Sequence, residues 1–478
     1  MTSHERTTPP RVLVVGSGFA GFHCMRRLEK HLPPDAAELL VASSADYLLY
    51  SPLLPNVATG VVEPRHIAVG LHNTLRRAKV LVGHVVAVDI PGRTATLRRP
   101  DGTDRELAWD RLVLAPGGVT RTFNIPGVAE HALGLKTLAE AAYLRDHVLR
   151  ELDNADAADD PAHRRACCTF VVVGAGYSGT ETAAQMQLIT TRAAAEYPRL
   201  RPQDIRWVLV DLADRVLPEL SQRMADEAME VLRRRGVEVR LGTTVEEATE
   251  GKVRLSDGDT IETHTLVWCT GVTPSPLIKT LGLPTERGRL RVGADLKVPG
   301  ADGVFAFGDA AAVPDLTQPG KLTGQTAQHA QRQGKVAARN VAASLGYGKA
   351  VDYRHRDLGF AVDLGGFDAV ASPFGVSLGG LPGLVATRGY HLLALPGNGN
   401  RIRVSLDWLL DWAMPPQVAQ LGFLRDEQVT MAAVEQTGIY ASPPADEWEA
   451  ASRDLPTTRA VVADTGVPRP PARERQPG

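Results

Sequence analysis

Cysteine is scarce: the chain has four (Cys24, Cys167, Cys168 and Cys269) in 478 residues. They are too few and too badly spaced for a disulfide framework or a zinc site, so no metal is expected, and their usage fits a reducing compartment. No C-x-x-C or C-x4-C pair occurs, and a dithiol relay therefore has no residues to use. The vicinal pair Cys167-Cys168 reads as packing at the start of a strand. Neither sign of charge is in excess, the formal balance being −2, and no nucleic-acid partner is expected. No apolar run reaches the roughly 18 residues that suggest a membrane-spanning helix. The opening MTSHERTTPPR is polar and leads directly into an apolar run, a pattern that predicts no secretory signal.

What is present is glycine, in one arrangement used twice. Arg11 to Gly21 reads RVLVVGSGFAG and Thr169 to Gly179 reads TFVVVGAGYSG, each a Val-rich run ending in G-x-G-x-x-G. A continuous apolar run predicts a parallel strand buried on both faces. In such a motif the first glycine (Gly16, Gly174) permits a tight turn and the second (Gly18, Gly176) lets backbone approach a pyrophosphate. The third (Gly21, Gly179) lets helix pack on strand. The pyrophosphate then sits on the positive end of the helix. The plainer reading is a pair of bare strand-to-helix turns. Two copies, each behind a strand-like run, favour an α/β protein with two Rossmann-like dinucleotide-binding domains and electrons passing between two cofactors.

The elements around the first motif are a helix to about His31, ended by Pro33 and Pro34, and a second strand, Glu38 to Ala42. The acid usually found at the tip of that strand is missing. Ser43 stands there, able to substitute weakly or through a water. Runs at Val80 to Val88 and Thr94 to Arg98 read as strands, and Arg111 to Gly118 as an apolar strand ending in glycines. Leu138 to Arg165 reads as a helix followed by a solvated connection.

In the second half Trp207 to Val210 is a strand with Asp211 at its tip, where a carboxylate accepts from the adenosine 2′-hydroxyl and repels a 2′-phosphate. The alternative is an exposed turn aspartate. Thr265 to Thr270 ends at Gly271. Gly303 to Ala310 is a strand ending in Gly308-Asp309, placed to bind a polyol hydroxyl. From Thr326 a helix carries small residues (Ala327, Ala330, Gly334, Ala337) on one face, suited to a backbone or a flat ring. Arg401 to Ala413 is an amphipathic helix with Arg403, Asp407 and Asp411 on one stripe and Trp408 and Trp412 elsewhere, with the leucines. It suits a membrane interface, its own domain or a second subunit equally.

These motifs together resemble the two-dinucleotide flavoproteins and, within them, the type II NADH:quinone oxidoreductases, from near Arg11 to near Gly422. YSPLLPNVATG at Tyr50 to Gly60 is similar to the family's F-Q-P-L-L-Y-Q-V-A-T-G, and GYSGTE, ending in Glu181, to its T-G-V-E. FGDAAAV (Phe307 to Val313) and TAQHAQRQG (Thr326 to Gly334) also match. Ser51 and Arg332 stand where the family has Gln, and Ser43 where it has an acid.

The resemblance implies FAD in the first site, held by Gly16, Gly18, Gly21, Ser43, Gly308, Asp309 and Ala327, with Pro52 and Leu53 near the isoalloxazine. It implies NADH in the second, held by Gly174, Gly176, Gly179, Asp211 and Gly271. Glu181 becomes the candidate relay or positioning group, with Gln328 and Arg332 at the quinone. The plain alternative for Glu181 is a helix-dipole carboxylate in the first turn. The chain divides accordingly into a flexible N-terminus (1–10), an FAD-binding domain (11–125 and 295–355) and an NADH-binding domain (126–294). A C-terminal membrane or dimer segment (356–425) and a disordered tail (442–478) follow. The implied place is the cytoplasmic face of the cell membrane, peripherally. A soluble reductase of a protein electron carrier, or a redox sensor holding FAD and NADH without turnover, are the rival readings.

Overall fold

The computed structural model describes residues 9–356, 358–414, 417–422 and 431. The expected tail (442–478), and all but the last two residues of the expected N-terminal arm, lie outside these. The first Val-rich run forms strand β1 (Arg11–Val15), followed by helix α1 (Phe19–His31), β2 (Glu38–Ser43), β3 (Lys79–Val82) and β4 (Arg111–Leu114). The strands pair in parallel in the spatial order β4-β1-β2-β3. Val12, Leu13 and Val14 are wholly buried, which is why this strand is apolar throughout rather than alternating. Helix α1 starts at Phe19, ahead of the third glycine, because Gly18 serves as its N-cap.

A two-stranded antiparallel bridge, Gly118–Thr120 against Val272–Pro274, links the halves. The second sheet contains β5 (Ala132–Gly134), β6 (Thr169–Val173), β7 (Arg206–Asp211), β8 (Glu238–Leu241) and β9 (Thr265–Trp268). All are parallel, in the order β5-β9-β6-β7-β8. Strand β10 (Val304–Ala306) then returns to the first sheet beside β4. In each sheet the glycine-bearing strand is central, and the strand order reverses beside it. The crevice outside the carboxyl ends at such a point is where open α/β sheets take ligands.

Two expectations change in detail. The run Val80 to Val88 is not one strand: Gly83, at φ +152°, breaks it, and a Cβ there would stand 2.4 Å from the Arg98 carbonyl oxygen. The chain leaves the parallel sheet at that point and enters a three-stranded meander that begins with His84–Asp89. The stretch from Leu138 to Arg165 is two helices, α2 (Leu138–Ala157) and α3 (Pro161–Cys167). Asp160 caps α3 by accepting from the Ala162 and His163 amides at 3.1 and 3.2 Å, with Pro161 in the first turn. Helix α4 (Tyr177–Ala194) follows the second glycine turn, and α5 (Ala327–Ser344) packs across α1.

A small antiparallel sheet (Ala361–Asp363, Ala369–Ala371 and Leu378–Gly379) precedes α6 (Gly380–Ala394) and α7 (Asn398–Ala413). Their polarity is inverted. On α7 Trp408 is buried and Asp407 turns inward, its carboxylate 2.6 Å from His66 Nδ1, while Ile402, Leu406, Leu409 and Leu410 are more than half exposed. Trp408 therefore does not share a face with the leucines, contrary to the periodicity reading. On α6 His391 is buried and Leu381, Val385 and Leu393 are exposed. Among the described residues no helix is long and apolar enough to cross a membrane.

The small-residue stripe of α5 meets backbone. A Cβ on Gly334 would stand 2.3 Å from the Ala20 carbonyl oxygen of α1, whereas one on Gly389, inside α6, would meet nothing within 4 Å. Gly334→Ala is therefore expected to lower unfolding free energy by about 1–3 kcal/mol. Gly389→Ala should raise it by roughly 0.5–1 kcal/mol. Denaturant unfolding of the two variants followed by circular dichroism checks the pair.

Candidate active site

The two glycine turns have the same stereochemistry. Gly16 and Gly174 lie at φ +96° and +108°, and a Cβ on either would collide with a carbonyl oxygen, that of Ala115 at 2.2 Å or Cys269 at 2.7 Å. A Cβ on Gly21 would stand 1.9 Å from the Gly16 carbonyl oxygen, and one on Gly179 1.8 Å from that of Gly174. At Gly18 and Gly176 a Cβ would meet nothing within 4 Å. The first and third glycines are thus required by the protein itself, while the second faces open space that a pyrophosphate can enter. Each of these middle glycines is also the N-cap of its helix, with no side-chain cap, so the first-turn amides are available to an anion. Both cradles fit a dinucleotide.

At the tip of β2 the Ser43 and Ser17 hydroxyls are 2.6 Å apart and buried, so the serine is tied into the first turn. At the tip of β7 the Asp211 carboxylate accepts from the Ala175 amide inside the second turn, and from Ala213 at 2.7 Å. Two backbone donors leave an ionised carboxylate further acceptor sites for a ribose hydroxyl. Gly271 follows β9, exposed, with open space where a side chain would project.

Asp309 follows β10. Burial raises its carboxyl above the usual range, opposed by the charges of Lys136 and Arg289. Burial brings Lys136 down to about 8, opposed by Asp309 and Glu140, and its ammonium donates to the Gly118 carbonyl at 2.6 Å. Gly308 donates its amide to Gln333 Oε1 at 2.8 Å, and Gln333 in turn donates to Thr323 Oγ1 at 3.0 Å. No sequence motif pointed to Lys136, and Gln333, although inside TAQHAQRQG, was not singled out there. Ala327, the first residue of α5, is half-buried. Leu53 is buried and Pro52 partly exposed in the 3-10 turn Ser51–Leu53, beside Tyr50, whose hydroxyl lies 3.0 Å from His391 Nδ1.

Glu181 is the fifth residue of α4, beyond the first turn, so a helix-dipole role does not describe it. Its Oε1 accepts from the Asp363 amide at 2.8 Å. Burial raises its carboxyl well above the usual range, partly offset by that bond. Asp363 is raised too, first by burial, with Arg388 opposing; Arg388 Nε is 3.8 Å from its Oδ2. The Asp363 carbonyl accepts from Gln185 at 2.7 Å, Gln185 Oε1 accepts from Asn56 at 2.8 Å, and Asn56 Oδ1 accepts from Trp408 Nε1 at 3.0 Å. This buried chain was missed in the sequence. Its one signal was Asn56 inside YSPLLPNVATG, with Gln185 one helical turn after Glu181.

Gln328 and Arg332 come together one turn apart on α5. Gln328 Nε2 donates to the Gly359 carbonyl at 3.0 Å, and its Oε1 accepts from Arg332 at 3.2 Å. Arg332 also donates to the Arg356 carbonyl, so its guanidinium is committed to holding chain. Tyr390, another residue without a sequence signal, is raised by burial, with Arg332 and a hydrogen bond to Gln328 opposing. No thiol is poised to react: burial holds Cys168 at about 11, Cys167 and Cys269 at about 12, and Cys24 higher still.

Two open cradles at the switch points of two parallel sheets define a two-dinucleotide oxidoreductase fold. The sequence pattern of the pyridine nucleotide-disulphide oxidoreductases matches residues 10–334. The type II NADH:quinone oxidoreductase Ndh of Mycobacterium tuberculosis is 31% identical over 382 residues, covering 76% of this chain and 80% of its own. Demethylphylloquinone reductase NdbB of Synechocystis is 32% identical over 421 residues, 84% of this chain and 97% of its own. The structure of NDH2 from Plasmodium falciparum in complex with NADH superposes with a TM-score of 0.79 at 17% identity, over 85% of this chain and 99% of that one. That last likeness is one of fold. The chain belongs to the pyridine nucleotide-disulphide oxidoreductases and, within them, to the type II NADH:quinone oxidoreductase family.

Because the folded state keeps the Glu181 proton to higher pH than the unfolded chain, stability from this group is full below the ordinary value of 4.5 and falls as pH rises above it. Glu181→Gln retains an oxygen for the Asp363 amide and removes the titration. Its melting temperature relative to the parent should rise as pH climbs above the ordinary carboxyl value of 4.5 towards neutrality. Calorimetry across that range provides the check, and a pH-independent difference refutes the assignment.

Proposed function

We propose that this chain oxidises NADH and passes the electrons through FAD to a membrane quinone, without pumping protons. Bound FAD supplies the two-electron exchange that lets a hydride donor be followed by a quinone acceptor. The observation that carries the reading is the pair of open glycine cradles combined with a carboxyl, Glu181, whose burial favours its protonated form, in a chain with no C-x-x-C or C-x4-C thiol pair.

In this reading residues 11–125 and 295–355 hold FAD. Gly16, Gly18 and Gly21 take its pyrophosphate, Gly308 and Asp309 its ribitol and Ser43 its ribose, with Pro52, Leu53 and Ala327 towards the ring. Residues 126–294 hold NADH through Gly174, Gly176, Gly179 and Gly271, with Asp211 at the ribose hydroxyls. Glu181 stores a proton at the carboxyl oxygen not engaged by Asp363 and delivers it towards the reduced quinone. Gln328 hydrogen-bonds a quinone carbonyl, and Arg332, which fixes the orientation of its amide, stands beside the quinone.

The C-terminal segment (356–425) rests peripherally on the cytoplasmic face of the cell membrane. The exposed apolar side chains of α6 and α7 support a membrane contact: Asp407 turns inward while leucines, Val385 and Trp412 are left outside beside an exposed Arg403.

Anaerobic NADH should bleach the flavin of the purified protein, and a short-chain quinone should restore its colour. Bleaching that only a protein carrier reverses assigns the chain to the carrier reductases, and no bleaching assigns it to the sensors. Glu181→Gln should slow quinone-dependent turnover by about 100-fold or more while leaving flavin bleaching close to the parent rate. Equal losses in both steps remove the relay.

Each large apolar side chain transferred from water is worth about 1.5–3 kcal/mol. Leu406→Glu with Leu409→Glu should therefore cut co-sedimentation with lipid vesicles by more than about 100-fold, with the flavin spectrum intact. Unchanged vesicle binding, or a loss of self-association alone, turns the face into a subunit interface.

A further inference from the structure

At the end of the second sheet away from the glycine turn, three metal-ligating side chains from two elements converge, with a glutamate from a third beside them. His163 and Cys167 are one helical turn apart on α3, and His264 immediately precedes β9. Cys167 Sγ is 3.7 Å from His163 Nε2 and 3.6 Å from His264 Nδ1, and the three ligand atoms lie within 4.8 Å of one another. Glu151, on α2, brings Oε2 to 2.8 Å from the same His264 nitrogen, while its other oxygen accepts from Asn154 at 3.1 Å.

These spacings have a chemical meaning. With Zn–S of about 2.3 Å and Zn–N of about 2.0–2.1 Å, the edges of a tetrahedral zinc site are roughly 3.3–3.6 Å. The two sulfur–nitrogen distances are those edges almost unaltered. Glu151 is hydrogen-bonded to His264 and lies outside the group of three whose ligand atoms are mutually within 4.8 Å, so it must swing in to supply a fourth ligand.

We propose that His163, Cys167 and His264, with Glu151 swung in as the fourth ligand, form a structural site for a divalent, borderline-soft cation of the zinc class. Two imidazoles, one thiolate and one carboxylate are a donor set that zinc prefers over the hard cations, and the two anionic ligands balance its charge. Cys167 and Glu151 are buried whereas His163 is exposed, so the cation has a route in from solvent and a closed seat beneath it. The site clamps α2, α3 and the start of β9. Cys167 and His264 lie at the amino ends of β6 and β9, whereas Gly174 and Gly271 follow their carboxyl ends. The cation therefore acts on the stability of the second sheet and takes no part in electron transfer.

The test uses the untagged, flavin-loaded chain after dialysis against a chelator. Cobalt(II) should bind at one equivalent per chain and produce the ligand-field bands of a tetrahedral thiolate site in the red, where oxidised flavin does not absorb. Zinc(II) should displace it and raise the melting temperature. Cys167→Ser and His163→Ala should each weaken cobalt binding by at least the roughly 10–100-fold that disturbing a metal ligand's supporting hydrogen bonds costs. Should Cys167→Ser fold poorly, His163→Ala, changed only at an exposed side chain, carries the test with its flavin content as control. Absence of tetrahedral bands, or bands and affinity unchanged in His163→Ala, overturns the proposal.

Discussion

A single steric constraint organises this molecule: the third glycine of each nucleotide turn must let a helix lie directly on the carbonyl of the first. At Gly21 and Gly179 there is no room for even a methyl group, since the nearest oxygen would stand 1.9 or 1.8 Å from it. That contact fixes the direction in which α1 and α4 leave β1 and β6. Each helix N-terminus is thereby held over the carboxyl end of its strand, at the point where the strand order reverses. Gly334 repeats the device one layer out, bringing α5 onto the backbone of α1. Three helices are positioned by the absence of side chains, and the cradles are what remains between them.

Around this frame the protein keeps charged groups inside only where something balances them. Asp309 has Lys136 and Arg289 nearby, whose charges oppose its desolvation. Glu181 has no cation among its main influences, only an amide donor and the like charge of Asp363, so burial prevails and pushes the carboxyl well above the usual range. Two buried acids in one chain thus have different natures. For one, neighbouring cations oppose the desolvation; the other meets it with an amide donor alone.

The C-terminal segment extends the same economy to the surface. Trp408, Asn56, Gln185 and Asp363 form one hydrogen-bonded chain from α7 through the YSPLLPNVATG segment and α4 to the small sheet. A buried polar chain of this kind is costly unless every member is satisfied, and its members hold one another in register. With Trp408, Asp363 and Asp407 turned inward, the segment presents Ile402, Leu406, Leu409 and Leu410 outward. The external face is therefore suited to a surface that is not water.

Residue order alone was enough to reveal both strand-turn-helix glycine cradles, the dinucleotide-binding fold and the family. The reason is that a glycine required by a tight backbone contact, or a strand buried on both faces, leaves its mark at fixed local spacing. The side-chain meetings left no such mark. Glu181 reaches Asp363 and Asn56 reaches Trp408 across 182 and 352 residues, while His163 and Cys167 meet a histidine 97 residues from the cysteine. The inward turn of Trp408 and the break at Gly83 likewise depend on what packs against them. Hydrogen bonding and burial act between neighbours in space, and only the closed tertiary structure decides who those neighbours are.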